Sequence, residues 1–216
     1  MLQGHLDGDL SEVGREQARL VGERLKSWHF DLGIVSDLRR AVATAGAIVD
    51  QSCSLQDVVK RETARERNFG DFEGRPHNDL RVVEETIPDS EKSTWGPPNG
   101  ETGVQFRKRI ETFLQDLCSE VQKLSQDCPT VLLVTHSGFI RQLNLIFVES
   151  FQCSMPEGNA EFSTYLGSRL GWSPNTGVSS YTVHTAPGGV VRVECKVSGC
   201  GKHLEVDEDD GDHSPL

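Results

Sequence analysis

The chain has 216 residues, with 22 Lys plus Arg against 33 Asp plus Glu and a formal net charge of −11. That length suits one domain whose core needs no staples, and the composition excludes collagen-like, coiled-coil and wholly disordered chains. There is no apolar run of about 18 residues for a membrane span, no basic or apolar region at the N-terminus for a signal peptide, and an acidic balance that speaks against nucleic acid or anionic lipid as a partner.

Ser11 is placed to cap a helix over 11–28, with Val13, Leu20, Val21, Leu25 and Trp28 near one face. Phe30 to Ser36 reads as a strand feeding directly into a helix over 40–50. Residues 66–100 are rich in Gly and Pro and read as an excursion over the sheet end, with a short helix around 78–85. Thr102 opens the clearest helix, in which Phe106, Ile110, Phe113, Leu114, Leu117, Val121 and Leu124 recur at helical spacing. The apolar run from Thr130 to Thr135 matches a parallel strand buried on both faces. After Gly138, Ile140, Leu143 and Phe147 give the next helix its stripe. Tyr181, Val183 and Thr185, the turn Ala186-Pro187-Gly188-Gly189, and Val191, Val193, Cys195 and Val197 form a β-hairpin pattern.

The order helix–strand–helix–helix–strand–helix–hairpin predicts an α/β fold, a three-layer sandwich with a mostly parallel central sheet flanked by helices. Six acids between Glu205 and Asp212 hold more than half of the net charge. Such a run buries too little apolar surface to order itself, so residues 1–197 are expected as the domain and 198–216 as a disordered acidic tail. The six cysteines include no C-x-x-C pair, and without an export signal they are expected as reduced thiols of a cytoplasmic protein. Cys195, Cys200 and His203 fall short of the four ligands a structural zinc requires.

In open α/β sheets, ligands bind at the carboxyl ends of strands, where helix N-termini expose N–H groups. Two strand-to-helix turns, those of Arg40 and His136, place reactive groups there, and the Glu66 segment is a third candidate. Arg40 stands at a helix start, where the macrodipole favours an anion; it is either a surface arginine paired with an acid such as Asp37 or one that shares a bound anion with the helix. His136 ends the apolar strand just before Ser137 and Gly138, as a capping or core histidine or as a ligand-contacting one. Glu66, between Arg65 and Arg67, is either part of a solvated salt bridge or a general acid–base in a cleft. Ser137 as a hydrolase nucleophile is disfavoured, because the G-x-S-x-G elbow needs Gly where Thr135 stands.

Taken in order, these segments resemble the histidine phosphatase superfamily, the phosphoglycerate mutase-like fold. Gln3-Gly4, Asp7, Leu10-Ser11 and Gly14 resemble the family's loop and helix after its first strand. Ser36-Asp37-Leu38-x-Arg40-Ala41 resembles its phosphate-pocket arginine segment, and Glu66 before Arg67-Asn68-Phe69-Gly70 its acid–base glutamate. Asn99-Gly100-Glu101-Thr102 resembles its G-G-E-[ST] helix start, Thr135-His136-Ser137-Gly138 its second histidine motif, and Pro174 to Gly177 a C-terminal turn. The likeness covers about residues 2–195 and is strongest to fructose-2,6-bisphosphatases of the TIGAR type.

The resemblance implies a phosphatase that removes phosphate from a sugar bisphosphate through a phosphohistidine. It implies Glu66 and His136 as catalytic residues, and Gln3, Gly4, Arg40, Ser137 and Gly138 as substrate-binding ones. It implies no metal and no cofactor, with a small-molecule sugar phosphate as partner and protein partners left open. Residues 73–78 hold no lysine, which by the same resemblance favours phosphatase over mutase. The family's nucleophile lies in an R-H-G motif ending its first strand, and no Arg-His-Gly occurs in this chain. The expectation is therefore a fold whose first family strand is missing and whose turnover is impaired, or else a non-catalytic sugar-phosphate- or protein-binding isoform. His5 comes too late in the pattern, in a polar loop, and is assigned no role.

Overall fold

The computed structural model describes residues 1–151, 153, 173–186 and 189–205. Helix α1 (Glu12–Leu25) is capped by Ser11, whose hydroxyl accepts the Gly14 N–H at 3.1 Å. The helix ends at Leu25 rather than 28, and Trp28 stacks instead on Phe30 with centroids 6.3 Å apart. Strand β1 (Leu32–Ser36) runs into α2 (Arg39–Val49). Strand β2 (Val59–Arg61), which the sequence reading lacks, is three residues long and largely exposed, so it carries no apolar alternation to detect. Helix α3 (His77–Thr86) lies in the Gly/Pro-rich excursion. Helix α4 (Gly103–Val121) starts with a reciprocal capping box between Thr102 and Gln105. Strand β3 (Val131–Val134), α5 (Ser137–Phe151) and the antiparallel pair β4 (Val178–Ala186) and β5 (Gly189–Cys200) complete the chain.

Strands β2, β1 and β3 form a parallel sheet in that order, with Ile34 opposite both Val59 and Leu133. Alternation along the strands creates the layers. Ile34, Val131 and Leu133 face a cluster built by Phe106, Ile110 and Phe113 of α4 and Phe139, Leu143 and Phe147 of α5. Leu132 and Val134 face the opposite layer, where Val21 and Leu25 of α1 pack with Ile48 of α2. Val35 meets Ala41 and Ala45 on that same side. Tyr181 and Val193 of the hairpin join the α4–α5 cluster, so the second sheet is fastened through side chains.

Two expectations change. Strand β3 is parallel and has packed layers on both faces, as read, but its residues are mostly only partly buried. Only Leu132 is buried, the other three residues are half-exposed, and among the described residues β3 pairs only with β1. A strand paired on one edge loses the lateral cover that a central strand has. The described chain also continues past 197: β5 runs to Cys200 and a 3-10 turn follows at Lys202–Leu204. Arg24 of α1 anchors this end through the Cys200 carbonyl at 2.8 Å and His203 Nδ1 at 3.0 Å. The acidic run from 206 onward, and Pro187-Gly188 of the hairpin turn, lie outside the described residues. No helix among the described residues is long and apolar enough to cross a membrane.

Phe113 is 2% exposed and meets Phe139 edge-on at 5.4 Å. Phe113→Ala leaves a cavity in the α4–α5 layer and is expected to lower unfolding free energy by about 3–5 kcal/mol in urea denaturation. Val104→Ala, at an exposed position on the same helix, is expected to stay within about 0.5 kcal/mol of wild type.

Candidate active site

Because the three strands are parallel, their carboxyl ends open on one edge. Strand β1 delivers Ser36, β3 runs on to His136, and β2 leads through a 3-10 turn (Glu62–Ala64) to Glu66. Buried Ser36 Oγ meets His136 Nε2 at 2.8 Å. The Thr135 hydroxyl donates to the Ala64 carbonyl at 2.7 Å and so ties the β3 exit to the Glu66 segment.

Glu66 and His136 are each 9% exposed. The Glu66 carboxylate accepts the Arg67 N–H at 2.8 Å through Oε1 and the Gly138 N–H at 2.9 Å through Oε2. A Cβ on residue 138 would stand 2.2 Å from Glu66 Oε1, so only glycine lets the first turn of α5 approach the carboxylate. The flanking guanidiniums turn elsewhere. Arg65 grips Asp37 with two bonds of 2.6 and 2.7 Å, and Arg67 lies over the Phe69 ring. Glu66 is therefore a buried carboxyl, not part of a solvated salt bridge.

Arg40 does not pair with Asp37. Its Nη1 donates to the Leu6 carbonyl at 2.7 Å and its Nη2 to the Gly4 carbonyl at 2.8 Å. These carbonyls flank His5, in a turn closed by the Leu6 N–H on the Gln3 carbonyl at 2.8 Å. Gly4 supplies the turn's left-handed φ of 51°, and a Cβ there would strike Glu73 Oε1 at 2.1 Å. That oxygen accepts the His5 N–H at 2.7 Å, while His5 Nε2 lies 2.9 Å from the Glu66 carbonyl. A carbonyl only accepts, so this ring nitrogen carries the hydrogen.

The edge thus gathers Gly4, Arg40, Glu66, His136 and Gly138. Gln3 and Ser137 are exposed at its margin, and His136 is bonded to Ser36 rather than to Ser137. His5, Ser36, Glu73, Glu101 and Arg109 also belong to it, and the sequence reading gave none of them a role there. For Glu101 a signal was present, since it stands in the G-E-[ST]-like start of α4. Among the described residues no three His, Cys, Asp or Glu side chains are grouped to hold a metal ion, and both ring nitrogens of His203 are engaged by Arg24 and Thr176.

Burial pushes the Glu66 carboxyl above its ordinary value, against the pull of the two N–H bonds and the Arg40 and Arg109 charges. Burial, with Arg40, His5 and Arg109 nearby, pushes His136 down from 6.5 to about 3. The unfolded chain therefore binds more protons at His136 than the folded one between those values, and His136 makes stability rise with pH across that window. Glu66 has the opposite sign: its folded form holds a proton the unfolded one has lost, so stability falls as pH rises above 4.5. In urea midpoints measured from pH 4 to 8, His136→Gln is expected to flatten the acid-side loss and Glu66→Gln to raise stability at neutral pH.

Among relatives, the chain is 32% identical to fructose-2,6-bisphosphatase TIGAR B of Danio rerio, over 85% of this chain and 81% of that protein. It is 30% identical to fructose-2,6-bisphosphatase TIGAR of Xenopus tropicalis, over 99% and 92%. A mycobacterial glucosyl-3-phosphoglycerate phosphatase, solved in complex with inorganic phosphate, superposes with a TM-score of 0.70 at 26% identity, covering 94% of this chain and 93% of that one. Residues 1–159 match the Histidine phosphatase superfamily (branch 1), and with relatives of this identity and coverage the chain belongs to that superfamily of phosphatases.

Proposed function

We propose that the sheet edge is a phosphoryl-binding and acid-catalytic site for a sugar bisphosphate, of the fructose-2,6-bisphosphate 2-phosphatase type. The observation that carries this reading is the buried Glu66 carboxyl, bonded to the Gly138 N–H and set among Arg40, His136 and the N-terminus of α5, with its proton affinity raised by burial. In this reading the phosphate enters over the first turn of α5, where N–H groups lack helical partners. Arg40 and His136 contact its oxygens, and the Gln3-Gly4 loop, Ser137 and Gly138 line its path. A bound dianion draws a proton onto His136, because it supplies the negative charge that the empty site lacks. Fixed donors of this kind stabilise charge on the equatorial oxygens of a loose transition state. Glu66 donates its proton to the leaving oxygen, a role that a raised carboxyl pKa suits.

In the superfamily resemblance, the attacking group is a histidine in Arg-His-Gly. This 216-residue chain has no such triplet, and β3 has one edge without a strand among the described residues. The missing triplet is the ground for proposing impaired turnover by these 216 residues taken alone. The alternative is a non-catalytic isoform that binds a sugar phosphate or a protein. One further observation bears on the nucleophile: His5 is held at its N–H, its flanking carbonyls and its Nε2 beside Glu66.

The deciding experiment measures binding of fructose-2,6-bisphosphate and release of phosphate for this chain and for a form carrying an Arg-His-Gly strand ahead of Met1. Expected are binding by both, weakened about 10-fold or more by Arg40→Gln, and turnover by the fused form alone, with a gap on the order of 10⁶. Release by the chain itself that His5→Ala abolishes would overturn the impairment and assign the nucleophile to His5. Binding without release by either form would establish the binding isoform, and no binding by either would sink both readings.

A further inference from the structure

The segment that presents Glu66 has almost no regular structure of its own. It follows a three-residue strand and a single 3-10 turn, and irregular backbone of this kind is held only by bonds from elsewhere. Three of those bonds come from one side chain on α4, beside the Thr135 hydroxyl on the Ala64 carbonyl and His5 Nε2 on the Glu66 carbonyl. Arg109 Nη1 donates to the Thr63 and Arg65 carbonyls, each at 2.9 Å, and Nη2 donates to the Glu66 carbonyl at 2.9 Å. Its remaining donors make a two-point bond to Glu101, Nε to Oε1 and Nη2 to Oε2, each at 2.8 Å. A guanidinium has five N–H donors in a rigid fork, and all of them are used.

Glu101 extends the clamp. Its Oε2 also accepts the Asn68 N–H at 2.9 Å, and its carbonyl accepts Arg67 Nε at 3.1 Å. Burial raises the Glu101 pKa, but the Arg109 and Asn68 bonds outweigh it and hold Glu101 below its ordinary value, so it stays ionised. The carbonyls at 63, 65 and 66 and the N–H at 68 are thereby fixed on both sides of Glu66.

We propose that Arg109, anchored by Glu101, is the positioning residue for Glu66: its five-donor fork sets the backbone so that the carboxyl reaches the Arg67 and Gly138 N–H groups in a buried position. The inference rests on the reading of Glu66 as the proton donor. A lysine keeps the charge at 109 but offers three donors from one point, which do not reproduce the fork. The charged groups facing Glu66 are Arg40 on α2, Arg109 on α4 and Arg67 on its own segment, and the other titratable groups beside it are His5 of the first loop and His136, two residues before Gly138.

The test uses sulfate, a dianion across the working pH range, so that pH dependence reports the protein alone. Calorimetric affinity in wild type is expected to fall as pH rises through the raised Glu66 pKa, by up to tenfold per pH unit for one linked proton. Glu66→Gln removes the Glu66 part of that limb, leaving only the part from the proton drawn onto His136; if the limb is unchanged, the reading of Glu66 fails, whatever Arg109 does. With the limb assigned to Glu66, Arg109→Lys is expected to move it at least one pH unit toward the ordinary carboxylate range, and to speed amide exchange at Arg67 and Gly138 ahead of β1 and β3. A folded Arg109→Lys protein with the wild-type limb and wild-type exchange at those two amides overturns the proposal. Should Arg109→Lys not fold, Glu101→Gln decides in the same way: a smaller shift in the same direction supports the clamp, and an unmoved limb refutes it.

Discussion

A carboxyl group withdrawn from water must find donors or give up its charge, because an uncompensated ion in a low-dielectric interior is costly. The Glu66 carboxylate meets that demand with two backbone N–H groups, one from its own segment and one from the first turn of α5. Much of the sheet edge follows from this pairing. Residue 138 has to lack a Cβ, α5 has to begin directly after β3, and the exits of β2 and β3 have to be tied together, as the Thr135 hydroxyl does at Ala64.

The same burial separates the two titrating groups. Desolvation disfavours whichever form is charged, so it holds a proton on Glu66 and removes one from His136. Each group is thereby kept neutral over a range where it would be charged in water. Arg40 stands at this edge with its guanidinium on the Gly4 and Leu6 carbonyls, although the whole chain carries −11. Net charge describes the far field, whereas a dianion entering the edge meets the local arrangement.

Legibility followed the range of the interactions. Arg40, Glu66 and His136 were readable because each belongs to a short local pattern at a strand exit or turn. The Ser11 and Thr102 caps were readable for the same reason: a cap and its partner lie three residues apart. The two-point bond between Arg65 and Asp37 joins residues 28 apart, and His5 meets Glu66 across 61. No spacing rule reaches that far, which is why Arg40 carried Asp37 as an alternative partner and His5 was given no role. Strand β2 escaped because three half-solvated residues have no period to read.

By itself the sequence determined the α/β alternation, the helix starts and the placing of the Arg40, Glu66 and His136 segments at turns, since local periodicity and capping chemistry specify all three. It did not determine which donors those side chains would meet. Tertiary structure decided that Arg40 would hold the loop around His5, that Glu66 would be buried with its carboxyl on the Arg67 and Gly138 N–H groups, and that Arg109 would place every donor on Glu101 and the Glu66 segment. The physical reason is that each of those bonds depends on the parallel register of β1 with β2 and β3 and on the seating of α4 and α5 against it, which arises only when distant segments pack.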